Sequence, residues 1–260
     1  MKNDISLIDK IIRLVYQHIC CYPPQECQNI LDGFYCILNK SADYTFDRID
    51  AIRLNDFQLA LSKINEKEAR RKNQGVYYTP KDITEYIVAN TYLNYTCRDN
   101  SQVYSQEECF RRIDETGGNT LFNAKVFDPT CGTAEFLLSA IEIKLRLSKR
   151  YITLSDVDLL ALTSSIFGND ISYESILLSK IRIYFTIINE LKDKANAKQL
   201  AKILNKNFTC RDYITVKFAR PKYDIIVGNP PYVEYGKLPV KPDSNYGNIY
   251  ADILCNAVCE

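Results

Sequence analysis

The stretch AKVFDPTCGTAEFLLSAIEIKL, residues 124–145, runs from an apolar strand through a turn of small residues into a helix. Strand, tight turn and helix in that order form the opening unit of an α/β sheet. Three more segments repeat the theme. SIFGND (165–170) leads into the helix beginning SYESILLSKIRIYF, FTCRDY (208–213) is a short strand, and YDIIVGNP (223–230) carries the continuous apolar run of a strand buried on both faces. Parallel strands joined by crossover helices bind ligands at their carboxyl ends. Each of the four predicted strands ends in a polar residue: Asp128, Asp170, Asp212 and Asn229. A binding crevice requires such a row.

Working outward, residues 4–72 read as helices. Ile8, Ile11, Ile12, Val15 and Tyr16 recur at helical spacing until Pro23-Pro24 interrupts them, a second helix is predicted near 25–39, and a third, strongly charged one ends at EKEARRK. The character changes at GVYYTPKDITEYIV from Gly75. There Thr79 and Asp82 have capping-box spacing, Pro80 suits the first helical position, and Ile83, Tyr86 and Ile87 form one apolar face. The predicted organisation is an N-terminal α-helical domain, 1–73, followed by an α/β domain, 74–260.

Composition narrows the function classes. The chain has 260 residues, 46% hydrophobic and 25% charged, with a formal net charge of +1, so global charge gives no argument for nucleic acid or membrane. The small basic clusters Arg70-Arg71-Lys72 and Lys217, Arg220, Lys222 read as solvated surface. Ten cysteines are scattered without a C-x-x-C pair, and His18, Cys20 and Cys21, within one helical turn, read as core packing. No apolar run approaches the ~18 residues of a membrane span, and no secretory signal opens the chain. Reduced thiols in a cytoplasm are the expected setting.

At the predicted crevice, the small residues of DPTCGTAEF (128–136) let a ligand approach the backbone, where the helix N-terminus offers unpaired N–H groups. The segment lacks the G-x-G-x-x-G dinucleotide fingerprint, and the acidic Asp128 suits an ammonium-bearing ligand better than a pyrophosphate. Asp170 reads equally as an acceptor for ribose hydroxyls or as a helix cap, a task open also to Ser172. The 42-residue spacing of the two acids accommodates a second helical stretch, LSDVDLLALTSS (154–165). Asp212 is a weaker signal, because aspartate is common in turns. The tetrad Asn229-Pro230-Pro231-Tyr232 reads as a rigid turn, but one presenting a side-chain carbonyl, a backbone carbonyl and an aromatic face. Two acceptors beside a stacking surface suit a planar ring that carries an NH₂ group.

In their joint order these motifs resemble the S-adenosylmethionine-dependent DNA N6-adenine methyltransferases, with type IIG and related restriction–modification or phage-defence enzymes nearest and type I modification subunits next. The resemblance covers residues 75 to about 255. It implies a Rossmann-like class I methyltransferase sheet of seven strands, of which the first four are visible, with NYGNIYADILCNAV (245–258) resembling the start of the helix after the catalytic motif. Later strands and a target-recognition domain would lie in a missing segment or a C-terminal partner, and the exposed sheet edge would limit solubility unless covered.

Residue by residue, the resemblance implies cofactor contacts from Tyr78 and Thr79 in GVYYTP, from Asp128, Pro129, Cys131, Gly132 and Thr133, from Asp170 and Ile171, from Asp212 and Tyr213, and from Asn229. It further implies catalysis by Asn229, Pro230, Pro231 and Tyr232. Tyr232 stacks on an adenine flipped from double-stranded DNA, and Asn229 with the Pro230 carbonyl accepts hydrogen bonds from its N6. No metal is expected. At position 134 the chain has alanine, followed by Glu135, where the family has glycine. Glutamine-N5 methylation of a protein, RNA base methylation and a catalytically silent cofactor-binding fragment stand as alternatives.

Overall fold

The structure is a computed structural model and describes residues 6–41, 50–64, 79–98, 102–115, 119–150, 153–215, 223–237 and 246–258. Tyr78, the EKEARRK segment and both basic clusters lie outside the described residues. Four short parallel strands form one sheet: β1 (Val126–Asp128), β2 (Ile166–Asp170), β3 (Phe208–Cys210) and β4 (Ile225–Ile226), in spatial order β3-β2-β1-β4. All four coincide with predicted strands, although each is shorter. Register pairs Val126 with Ile166 on one side and with Ile225 on the other. The order therefore reverses at β1, and the crevice of such a sheet opens beyond the carboxyl ends of β1 and β4.

Among the described residues the helices are α1 (Leu7–Ile19), α2 (Pro24–Leu38), α3 (Leu54–Ile64), α4 (Lys81–Cys97), α5 (Gln106–Glu115), α6 (Asn119–Phe122), α7 (Glu135–Ser148), α8 (Asp156–Ser164), α9 (Tyr173–Glu190), α10 (Ala197–Asn207) and α11 (Ile249–Val258). Ser6 caps α1 by accepting from the Asp9 N–H, and Pro24 occupies the first position of α2, so the proline pair both separates and starts helices. Crossovers α7–α8 and α9–α10 connect β1 to β2 and β2 to β3.

Helices α1–α3 and the sheet region share a hydrophobic cluster running from Ile11 to Val227. The Tyr184 hydroxyl of α9 donates to the Ile30 carbonyl at 2.7 Å, and Asn205 of α10 donates to the Cys36 carbonyl at 2.9 Å. Gly33 makes the approach possible: a Cβ there would lie 2.2 Å from the Tyr184 hydroxyl and 2.7 Å from the Ala197 carbonyl oxygen. His18 is buried, stacked on Phe57 with ring centroids 4.8 Å apart and edge-on to Phe185. Cys20 and Cys21, expected in the core beside it, are exposed. They stand at the end of α1, where the chain turns toward Pro23, so only His18 faces inward.

Two expectations for α4 require correction. The helix begins at Lys81 with Pro80 as its N-cap in an extended conformation (ψ 147°), and no side chain caps it. Thr79 forms no capping box with Asp82, because it lies one residue before the N-cap; its hydroxyl accepts a hydrogen bond from Asn229. The Ile83, Tyr86 and Ile87 face is exposed, whereas Thr84, Val88, Ala89, Tyr92 and Leu93 are buried. This helix carries two apolar stripes, and packing against α7 selects the second. Thr84 meets Ser139 at 2.7 Å, and the Tyr92 hydroxyl donates to the Ala140 carbonyl at 3.1 Å.

Candidate active site at the carboxyl ends of the strands

β1 ends in Asp128, which is 1% exposed. Its Oδ1 accepts from the Thr130 N–H at 3.0 Å, folding the chain back into the turn 129–134. Burial pushes its carboxyl up to about 8; the Thr130 N–H acts in the opposite direction and the nearby Asp170 adds to the rise. Gly228, just past β4, passes so close that a Cβ there would stand 2.4 Å from Asp128 Oδ1. Only glycine lets these two strand ends converge.

β2 ends in Asp170. Its Oδ2 accepts from the Gly132 N–H at 2.9 Å and its Oδ1 from the Ser172 N–H at 2.8 Å. Ser172 itself caps α9 by accepting from the Ser175 N–H, so the cap belongs to Ser172 and Asp170 fixes the neighbouring turns. Burial raises the Asp170 carboxyl, opposed by the Ser172 and Gly132 N–H groups. The Ile171 N–H also bonds this carboxyl, and the residue remains half-buried. Hydroxyl donors can reach such a group.

The turn between these acids is tied from several sides. Ser179 of α9 donates to the Gly132 carbonyl at 2.7 Å, and the Cys131 N–H bonds the Asn169 carbonyl at 2.8 Å. Pro129, Cys131 and Thr133 are buried. Gly132 has φ 53°, and a Cβ built on it meets nothing within 4 Å. Its backbone thus faces open space, as a ligand cradle requires. Ile171 is 72% exposed beside it.

Asn169 escaped the sequence reading. Its Nδ2 donates to the carbonyls of Pro129 (3.0 Å) and Arg211 (2.9 Å), and its Oδ1 accepts from the Thr209 hydroxyl at 2.8 Å. One buried amide therefore locks the ends of β1, β2 and β3 together. Its only sequence signal is a polar side chain inside an otherwise apolar strand. Asp212 accepts from the Ile214 N–H at 3.0 Å, the geometry of a local turn. Tyr213 is buried and packs against Phe127, with ring centroids 5.8 Å apart.

Beyond β4, Asn229 Nδ2 donates to Thr79 Oγ1 at 3.1 Å, joining segments 150 residues apart. With the amide nitrogen so engaged, the amide oxygen is the end left to accept. Pro230 and Pro231 are partly exposed, and Tyr232 is 53% exposed. The Tyr232 ring lies 5.6 Å from that of Tyr250 on α11. Behind the tetrad the chain is secured by the Ile249 N–H to the Val233 carbonyl at 3.0 Å, and by the Tyr235 hydroxyl to Asp252 at 2.5 Å. The site thus combines a buried acid, Asp128, and a half-buried one, Asp170, around an open glycine turn with an oriented amide and an exposed aromatic ring. Those groups fit a ligand that offers hydroxyls and a cationic end, next to a planar base.

A parallel sheet with this strand order and this crevice is Rossmann-like and consistent with a methyltransferase fold. Residues 164–255, which include Asp170 and the Asn229–Tyr232 tetrad, match the family described as Eco57I restriction-modification methylase. Two relatives of this chain are likewise named for restriction–modification or methyltransferase activity. The chain is 25% identical over 160 residues to a protein of Methanocaldococcus jannaschii named as a type II restriction enzyme and methyltransferase, covering 49% of this chain and 13% of that protein. It is also 25% identical over 185 residues to the type II methyltransferase M.VspI of a Vibrio species, covering 70% of this chain and 31% of the relative. The matches thus span less than a third of either relative's length. None of the helices among the described residues is long and apolar enough to cross a membrane.

Proposed function

We propose that this chain carries the cofactor-binding and catalytic elements of a DNA adenine-N6 methyltransferase of a restriction–modification or phage-defence system. The reading is supported above all by Asn229, whose amide is oriented by Thr79 while Pro230 and the exposed Tyr232 follow directly after it. An acceptor amide, a backbone carbonyl and a stacking ring in sequence are what holding an exocyclic amine demands.

When bound, S-adenosylmethionine supplies an activated methyl group. Asp170 accepts hydrogen bonds from the ribose hydroxyls, and Asp128 offers its carboxylate toward the cationic end. The open backbone at Gly132 admits the cofactor to the turn. Adenine N6 is unreachable inside the stack, so the base is extruded and Tyr232 stacks on it. Asn229 Oδ1 and the Pro230 carbonyl would accept hydrogen bonds from the two N6–H groups and so hold the exocyclic nitrogen in a fixed orientation. Positioning and local electrostatics supply the rate.

The test is incubation of the full chain with isotopically labelled S-adenosylmethionine and double-stranded DNA, followed by nucleoside mass spectrometry. N6-methyladenine that disappears in Asn229→Ala is the expected product. Label on cytosine, on RNA or on a glutamine peptide in place of adenine would refute the proposal.

A further inference from the structure

Ala134 is fully buried at the N-cap of α7, with φ 72° and ψ 30°. A residue with a Cβ adopts this left-handed conformation only against a steric cost, and it persists where the surroundings over-determine it. Those surroundings come from Arg182 of α9. Its Nη1 donates to the Thr133 carbonyl at 2.6 Å and to Glu135 Oε1, and its Nη2 donates to Glu135 Oε2 at 3.3 Å. One guanidinium therefore clasps the residues on both sides of Ala134. The two side chains are only 7% and 13% exposed, so loosening either end leaves a charge poorly solvated.

Arg182 is held in turn from α3. Gln58 Oε1 accepts from Arg182 Nε at 3.1 Å, while Gln58 Nε2 donates to the Arg182 carbonyl at 2.9 Å and to the Thr186 hydroxyl at 3.2 Å. The guanidinium is thereby fixed at its third nitrogen by a helix 124 residues away in sequence.

We propose that Gln58 and Arg182 are positioning residues for the ligand-facing turn: their bridge to Glu135 and Thr133 holds Ala134 in its left-handed conformation and makes helix α3 part of the machinery that shapes the turn. The effect on cofactor affinity rests on reading the turn as an S-adenosylmethionine loop. The mechanical effect on the turn does not.

A thermodynamic cycle separates this from simple packing. Glycine adopts positive φ without steric cost, so Ala134→Gly removes the need for the clasp. The full chain is compared as wild type, Gln58→Met, Ala134→Gly and the double variant. Amide hydrogen exchange across residues 131–137 is measured on the free protein, and S-adenosylmethionine affinity by calorimetry. Gln58 is only half-buried, so its replacement leaves the fold intact. Loss of a hydrogen bond to a charged group predicts about tenfold faster exchange and about tenfold weaker binding in Gln58→Met. In the Ala134→Gly background both effects shrink to less than about threefold. Equal effects in the two backgrounds, or unchanged exchange in Gln58→Met, would overturn the proposal. If the exchange cycle shows coupling but wild type binds no S-adenosylmethionine, positioning stands and the methyltransferase reading falls.

Discussion

Asp128 offers the sharpest test of the site's chemistry. In the free protein, burial raises its carboxyl from 3.8 to about 8, a difference worth about 6 kcal/mol in favour of the neutral acid at 1.36 kcal/mol per pH unit. The sign follows from the direction. A raised folded-state value means that the stabilisation from this group is complete below the ordinary carboxylate range and is lost as pH rises through about 8. A cationic ligand placed beside Asp128 favours the carboxylate instead. Binding therefore expels a proton in the window between the lower value of the liganded carboxyl and about 8. Affinity should rise by about tenfold per pH unit between pH ~6 and ~8, and level off above. Calorimetric titration with S-adenosylmethionine at pH ~6.5, in two buffers of different ionisation heat, should register the release of about one proton. Asp128→Asn keeps the shape but has no proton to lose, and its affinity should be flat with pH. Equal heats in both buffers, together with flat wild-type affinity, would refute this account of how the buried acid works.

Three further outcomes are expected. Gly33→Ala places a methyl 2.2 Å from the Tyr184 hydroxyl. Overpacking and a disturbed Tyr184–Ile30 bond outweigh the gain in helix propensity by about 2 kcal/mol, seen as a melting temperature lower by about 5 °C; adding Tyr184→Phe should recover part of the loss. Thr79→Val removes the acceptor that orients Asn229 and should lower kcat for methyl transfer about tenfold with little change in KM, while Thr79→Ser retains activity; equal rates for both variants would show that Asn229 needs no such guide. His18 is buried and neutral, its value lowered by burial against a weaker opposing bond to the Ile52 carbonyl. Its contribution to stability is present above the ordinary imidazole value and lost as pH falls below it, so urea midpoints at acidic pH should fall more in wild type than in His18→Phe.

The strands of residues 124–129, 165–170 and 223–230 were legible because an apolar run ending in a polar residue is a short-range signal, and such runs alternating with helices admit few topologies. Asp128, Asp170 and Asn229 could be nominated for the same reason. The misreadings share a cause in long-range contacts. Thr79 has the spacing of a capping residue, yet it lies one residue before the N-cap and its hydroxyl bonds Asn229. On α4 the Ile83–Tyr86–Ile87 stripe is as periodic as the buried one, and only the position of α7 decides between them. Asn169 and the Gln58–Arg182–Glu135 bridge stayed invisible because polar residues in a strand or on a helix carry no record of distant partners. Ala134 stands where the family it resembles usually has glycine, but its left-handed backbone is a property only of the folded chain.

The bond between Thr79 and Asn229 has a kinetic side. Closing a loop of 150 residues is an entropic expense recovered only after the core between its ends has formed. The amide at the heart of the site therefore takes up its bearing late in folding, after the sheet that carries it. During synthesis the same geometry acts as a timer. Residues 79–170 can pair their first strands and form the glycine turn early, but the Asn229–Tyr232 tetrad cannot dock against Thr79 until it has cleared the ribosome.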